Sequence, residues 1–158
     1  FFMINDIREY ITAENIYLLA NWGVIPFWLM LLFVPSHQLT KFFVNSIIAP
    51  LLLSVAYCFF AFKIYLDGSF LEGFNLYLGL NNLYSIFSEE TFLLIFWLHF
   101  LSISLFVGSW MARDSQRFAI PKLLLSVSLL LTYLSGPVGI VFYWFIRIFF
   151  AKKISFND

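Results

Sequence analysis

Apolar residues fall in four long runs along this 158-residue chain, separated by short polar stretches. The first run spans about residues 16–34 and the second about 42–66. The third spans about 91–111 and the fourth about 123–150. Each is near or above the ~20 residues that a helix needs to cross a bilayer. The fourth is longer, about 28 residues or ~42 Å as a straight helix, against a ~30 Å hydrocarbon core. The Gly136-Pro137-Val138-Gly139 tract at its middle predicts a break or kink that takes up the excess. Residues 1–13 place Ile4, Ile7, Tyr10 and Ile11 at helical spacing. Either a short amphipathic surface helix or a frayed terminus satisfies that pattern. Residues 70–88 separate Leu76, Leu80, Leu83 and Phe87 from Asn75, Gly79 and Asn82, predicting an interfacial or re-entrant helix between spans two and three.

The boundaries carry their own signals. Pro26 removes one backbone hydrogen bond from span one and should kink it. The carbonyl it frees needs another donor in lipid, so Pro26 is expected to face protein or water, as is Asn21. Pro50 should interrupt span two, and Asp67-Gly68 should end it. Ser88 is the expected N-cap of span three, with Glu89 and Glu90 in its first turn. Pro121 opens span four. These features predict an all-α, polytopic membrane protein: one domain over 1–158, a four-transmembrane-helix bundle with an extra helix at 70–88.

Composition agrees. The chain is 62% hydrophobic and 11% charged, far from the soluble average of roughly 45–50% and about 25%. The acidic first fifteen residues are unlike a cleaved secretory signal, so the first run reads as a permanent span. With both termini on one side, Arg8, Lys63, Arg147, Lys152 and Lys153 face Lys41, Arg113, Arg117 and Lys122 across the membrane. Five against four leaves orientation open. Net charge is zero and basic residues are scattered, so nucleic acid is not an expected partner; membrane lipid is. Cys58 is the single cysteine, and His37 and His99 lie in different segments, so neither a disulfide nor a metal site is expected.

Candidate chemistry concentrates in WLHFLSISLFVGSWMARD, residues 97–114. His99 is an ionisable group inside an apolar run, which is costly there and marks a functional candidate. A neutral histidine bonded to another helix accounts for it equally well. His99, Ile103, Phe106, Trp110 and Asp114 share one helical stripe, but His99 and Asp114 stand ~22 Å apart and cannot serve one substrate atom. Arg113, Asp114 and Arg117 read as an interfacial ion cluster, with Arg147 placed across the membrane from them. His37 reads as a loop histidine.

The segments NWGVIPFWLMLLFVPSHQLT, FSEETFLLIFWLHF, LFVGSWMARDSQRFAIPK and LTYLSGPVGIVFYWFIR occur in that order. Together they resemble the abscisic-acid-deficient-four-like membrane family, whose plant members are associated with neoxanthin formation from violaxanthin in plastid membranes. The resemblance implies a protein of carotenoid metabolism in a bacterial inner, photosynthetic or plastid membrane. It implies a xanthophyll isomerase that turns an epoxide into an allene without a cofactor. Carried over by position, His99 becomes the candidate base or proton shuttle. Asn21, Pro26, Trp97, Trp110, Asp114, Thr132, Gly136 and Pro137 become candidate substrate-binding residues. The family pattern has an acid five residues after the histidine, where this chain has Ser104, about 140° around the helix from His99. Two readings follow: an isomerase acting on a xanthophyll-like carotenoid, or a non-catalytic subunit that binds pigment or lipid within a larger membrane complex.

Overall fold

In the computed structural model, residues 12–69 and 71–152 are described. The expected amphipathic helix of residues 1–13, Arg8 and Lys153 lie outside them, save Thr12 and Ala13. Every regular element among the described residues is helical. The helices are α1 (Ala13–Phe33), α2 (Gln38–Phe43), α3 (Ile48–Leu66), a 3-10 helix (Glu72–Leu78), α4 (Leu80–Phe87), α5 (Glu90–Arg117), α6 (Lys122–Ser135) and α7 (Pro137–Ala151). Three stretches are long and apolar enough to cross a membrane: Ala13–Phe33, Gln38–Leu66 and Glu90–Arg117.

The 28-residue α5 is the hub. It packs against α1, α3 and α6, and its buried face mixes small residues with leucines. Gly108 lets the Trp28 ring lie against the helix, since a Cβ there would sit 2.9 Å from the ring. Ser102 donates to the Pro50 carbonyl at 2.9 Å and bonds Ser54 at 2.8 Å. Ser109 donates to the Val44 carbonyl and the Asn45 side chain, and Arg113 to the Asn45 carbonyl. In lipid, apolar surface gives helices little reason to associate, so close packing and such interhelical hydrogen bonds hold α3 to α5.

Several boundaries differ from expectation for identifiable reasons. Pro50 sits in the first turn of α3, where its missing N–H costs nothing, and the interruption lies earlier, at Val44–Ile47, where Ile47 takes φ 73°. Gly68, at φ 81°, does end α3. Ser88 closes α4, its hydroxyl donating back to the Tyr84 carbonyl, and Glu89 takes the N-cap position of α5. α5 runs on past Met111 to Arg117. α1 passes unbroken through Pro26, whose ring is on the exposed outer face and not toward protein. The expected helix between spans two and three is present as the 3-10 helix and α4, which packs on the start of α5.

The largest difference concerns residues 123–150. Instead of one kinked span, α6 (14 residues) and α7 (15 residues) form a hairpin that reverses at Gly136. Gly136 takes φ 60°, a conformation that favours glycine. Gly139 then passes so close to α6 that a Cβ would fall 2.0 Å from Thr132 Oγ1. Each arm is ~21–22 Å long, short of the ~30 Å apolar core. The far end of α7 therefore returns to the start of α6. There the Arg147 Nε donates to Asp114 Oδ2 at 2.8 Å, and its guanidinium lies over the Phe118 ring at 4.8 Å. Arg147 is thus beside Asp114, not across the bundle from it.

This reversal sorts the charges. Lys41, Arg113, Arg117, Lys122, Arg147 and Lys152 gather at one end of the bundle with Asp114. Glu14, Asp67, Glu72, Glu89 and Glu90 lie at the other with Lys63. The evenly balanced count expected from four crossings becomes strongly one-sided among the described residues.

Candidate functional site

The hairpin turn stops partway along α5, at the level of Phe100 and Ser104. Beside it is a groove of about 210 Å³. One wall is a strip of α5 carrying Phe96, His99, Phe100, Ile103, Ser104 and Val107. The other wall is the turn itself, with Thr132 and Gly136, then Pro137 and Ile140 of α7. The groove is almost wholly apolar apart from the His99 ring and the Ser104 and Thr132 hydroxyls.

Four of the sequence-derived candidates meet here: His99, Thr132, Gly136 and Pro137. His99 is on the outer, exposed side of α5, its ring 6.1 Å from that of Tyr57 on α3. Ser104 and His99, on opposite flanks of the strip, both line the groove. Thr132 is fully buried and donates to the Ser128 carbonyl at 2.8 Å. Gly139, having no Cβ, packs directly against it, which shapes the turn.

Asn21 and Trp97 form a second group one layer away. The Trp97 indole donates to Asn21 Oδ1 at 2.9 Å, so Asn21 does face inward. Trp97 stacks on Phe100, centroids 5.4 Å apart, and Phe100 in turn covers Gly136. The pair therefore fixes a ring that roofs the turn. A larger cavity of about 360 Å³ opens on the other side of Trp97, lined by Tyr17, Leu93 and Leu94, with Glu14 and Glu90 at its mouth.

Trp110 and Asp114 form a third group, at the basic end. The Trp110 ring meets Tyr143 edge-on at 5.5 Å. The Tyr143 hydroxyl is 2.9 Å from Asp114 Oδ2 and 3.2 Å from the Met111 carbonyl. With Arg147 this closes the base of the hairpin. Asp114 acts as a clamp and is remote from the groove. Of the expected Arg113, Asp114 and Arg117 cluster, Arg113 donates to the Asn45 carbonyl and Asp114 is joined by Arg147. Pro26 touches neither the groove nor the clamp. His37 caps α2, its Nδ1 accepting from the Leu39 amide at 3.3 Å.

Sequence reasoning missed Tyr143 and Arg147 as partners of Asp114, Phe118 as the ring under Arg147, and Ile140 as a groove residue. The usable signal was Gly-Pro-Val-Gly in the middle of a run twice the length of each arm, followed by an arginine at the run's end. Among the described residues no group of three or more His, Cys, Asp or Glu lies together as a metal site.

A family model described as ABA DEFICIENT 4-like matches residues 15–143. No curated protein and no solved structure matches the chain.

Proposed function

The chain belongs to the ABA DEFICIENT 4-like family, and from that premise we propose that it is an integral membrane protein of carotenoid metabolism that handles a xanthophyll end ring in the groove at the hairpin turn. The observation that carries this reading is the meeting of His99 with the turn in one apolar groove partway along α5. Its volume, about 210 Å³, is below the ~300–1,000 Å³ of ordinary small-molecule pockets. It suits one end ring, with the polyene lying outside along the exposed aromatic and aliphatic surface of α5, such as Phe96, Ile103 and Phe106.

The proposed reaction is an isomerisation of an end-ring epoxide. The epoxide carbon–oxygen bond breaks and its electron pair stays on oxygen. A proton leaves the neighbouring polyene carbon for the His99 imidazole, and that carbon–hydrogen electron pair becomes the second double bond of an allene. The alkoxide then takes up a proton, and no atom or electron is gained or lost. Histidine suits the task because its ordinary pKa lies near neutrality. The three long apolar helices support insertion in a membrane, with α6 and α7 entering and leaving from the basic end. Among the described residues, six basic side chains at that end against one at the other favour the basic end facing the cytoplasm or its organellar equivalent.

A second reading is a pigment- or lipid-binding subunit without chemistry, working beside other membrane proteins. The exposed position of His99 favours it, because a base in an open groove is poorly shielded from its surroundings. Expression in carotenoid-producing cells followed by pigment extraction and chromatography separates the two. An altered xanthophyll profile that His99→Ala abolishes supports the isomerase. Carotenoid that co-purifies unchanged supports the binding subunit. A chain that neither converts nor retains any xanthophyll sinks both.

A further inference from the structure

We propose that the hairpin turn is an oxygen-binding subsite, in which the Ser104 hydroxyl and the open first turn of α7 together hold a hydrogen-bond-accepting oxygen on an otherwise apolar ligand. It rests on the reading of the groove as a xanthophyll site and names the atom the groove recognises.

Two independent observations converge here. The first is the free start of α7. A helix leaves its first amides without intrahelical acceptors. Pro137 has no N–H, and the Ile140 amide reaches the Gly136 carbonyl at 3.3 Å. That leaves the amides of Val138 and Gly139, and no side chain caps them. Such an end carries partial positive charge and favours a negative or electron-rich group. This one lies at the hairpin turn beside the groove, with Pro137 and Val138 on the outer face, and in lipid each unmet donor costs several kcal/mol.

The second observation is Ser104. It is 6% exposed, and it lines the groove. Its oxygen is 3.8 Å from where a Gly136 Cβ would stand, so the hydroxyl points at the turn. The other buried hydroxyls among the described residues are all bonded. Thr40, Ser102 and Ser109 reach carbonyls of neighbouring segments, and Ser115, Ser128 and Thr132 reach carbonyls of their own helix. Tyr143 bonds Asp114. Ser104 alone makes no hydrogen bond, although a helical serine can always turn back to the carbonyl four residues earlier. A hydroxyl that opens on the groove, stands beside the Gly136 turn and makes no hydrogen bond can donate to an acceptor placed there.

The chemistry selects the ligand atom. Amides and a hydroxyl can all donate, so they suit an epoxide or carbonyl oxygen and gain strength as negative charge builds on it. This arrangement also gives Ser104 a task that an acid at the same position would do differently. It donates to the oxygen without needing to carry charge.

The test compares ligands that differ only in that oxygen. Purified protein in detergent is titrated with an epoxy-xanthophyll and with its epoxide-free counterpart, following quenching of the tryptophans, of which Trp97 is one residue from the groove. A ring-sized ketone and the matching hydrocarbon serve as a second pair. One hydrogen bond of ordinary strength gives about a fivefold to tenfold preference for the oxygenated member. Ser104→Ala is expected to remove most of that preference while leaving the oxygen-free ligand's affinity and the thermal midpoint unchanged.

Equal binding of both members of each pair by the wild-type protein overturns the proposal. So does a Ser104→Ala variant that keeps the preference, or that weakens all ligands alike with a lowered midpoint, since Ser104 would then be a structural cap. Absence of binding by all four ligands overturns it as well. A Ser104-dependent preference for the ketone with no xanthophyll binding leaves the oxygen subsite standing and removes the carotenoid reading.

Discussion

Asp114 and Arg147 are the most informative pair to perturb, because the hairpin's return depends on them. Arg147 is 2% exposed and Asp114 9%, with the guanidinium Nε 2.8 Å from Oδ2. Breaking a buried ion pair by removing one member costs about 3–5 kcal/mol, whereas replacing both by apolar residues of similar volume is often neutral. Tyr143 lessens the damage on one side only: without Asp114 its hydroxyl still has the Met111 carbonyl at 3.2 Å. Arg147→Met keeps an apolar contact with Phe118 but strands the carboxylate. Asp114→Leu removes the carboxylate from the guanidinium, which keeps its contact with the Phe118 ring. Each single variant is expected to lower the thermal midpoint in detergent by roughly 6–20 °C, taking 2–4 °C per kcal/mol for a chain this size. The double variant should recover most of that loss, so the two effects are strongly non-additive. Single variants that unfold within a degree or two of wild type, or a double variant that shows the sum of both losses, would refute the clamp.

Other substitutions probe the rest of the packing. Gly139→Ala places a Cβ 2.0 Å from Thr132 Oγ1 and 2.3 Å from its backbone nitrogen, so the arms must part, and little folded protein is expected on size-exclusion chromatography. Gly108→Ala pushes on the Trp28 ring at 2.9 Å and should cost about 1–3 kcal/mol, read as a lower thermal midpoint. Asn21→Leu leaves the half-buried Trp97 indole without its acceptor, a loss of about 1–3 kcal/mol that Trp97→Phe in the same chain should largely offset.

The long helices were legible because each needs only an apolar run and a stop, and Asp67-Gly68 supplied one in plain view. The reversal at Gly136 was not, because a kinked span and a folded-back pair of short helices show the same hydrophobic pattern. What separates them is contact across the turn. Gly139 against Thr132 and Arg147 against Asp114 join residues that periodicity treats as unrelated. The misplaced reversal then propagated into the charge count, which moved Arg147 and Lys152 to the wrong end and hid the basic surface. The site was half legible. His99, Thr132, Gly136 and Pro137 do share a groove, whereas Asp114 and Trp110 belong to the clamp and Pro26 to the outer face. Ser88 and Ser104 show the same limit on a smaller scale: a serine's role depends on which acceptor lies within reach, and that is set by the fold around it.

The groove exists only if the chain turns back at Gly136, so the sidedness of Lys152 is the decisive quantity. With Cys58 replaced by alanine, single cysteines at Asp67, Lys122 and Lys152 can be labelled in sealed vesicles by a reagent that does not cross the membrane. A re-entrant hairpin predicts that Lys152→Cys and Lys122→Cys react from one face, the cytoplasmic one or its equivalent, and Asp67→Cys from the other. Lys152→Cys reacting together with Asp67→Cys would mean a fourth complete crossing, and with it no turn, no clamp and no groove at His99.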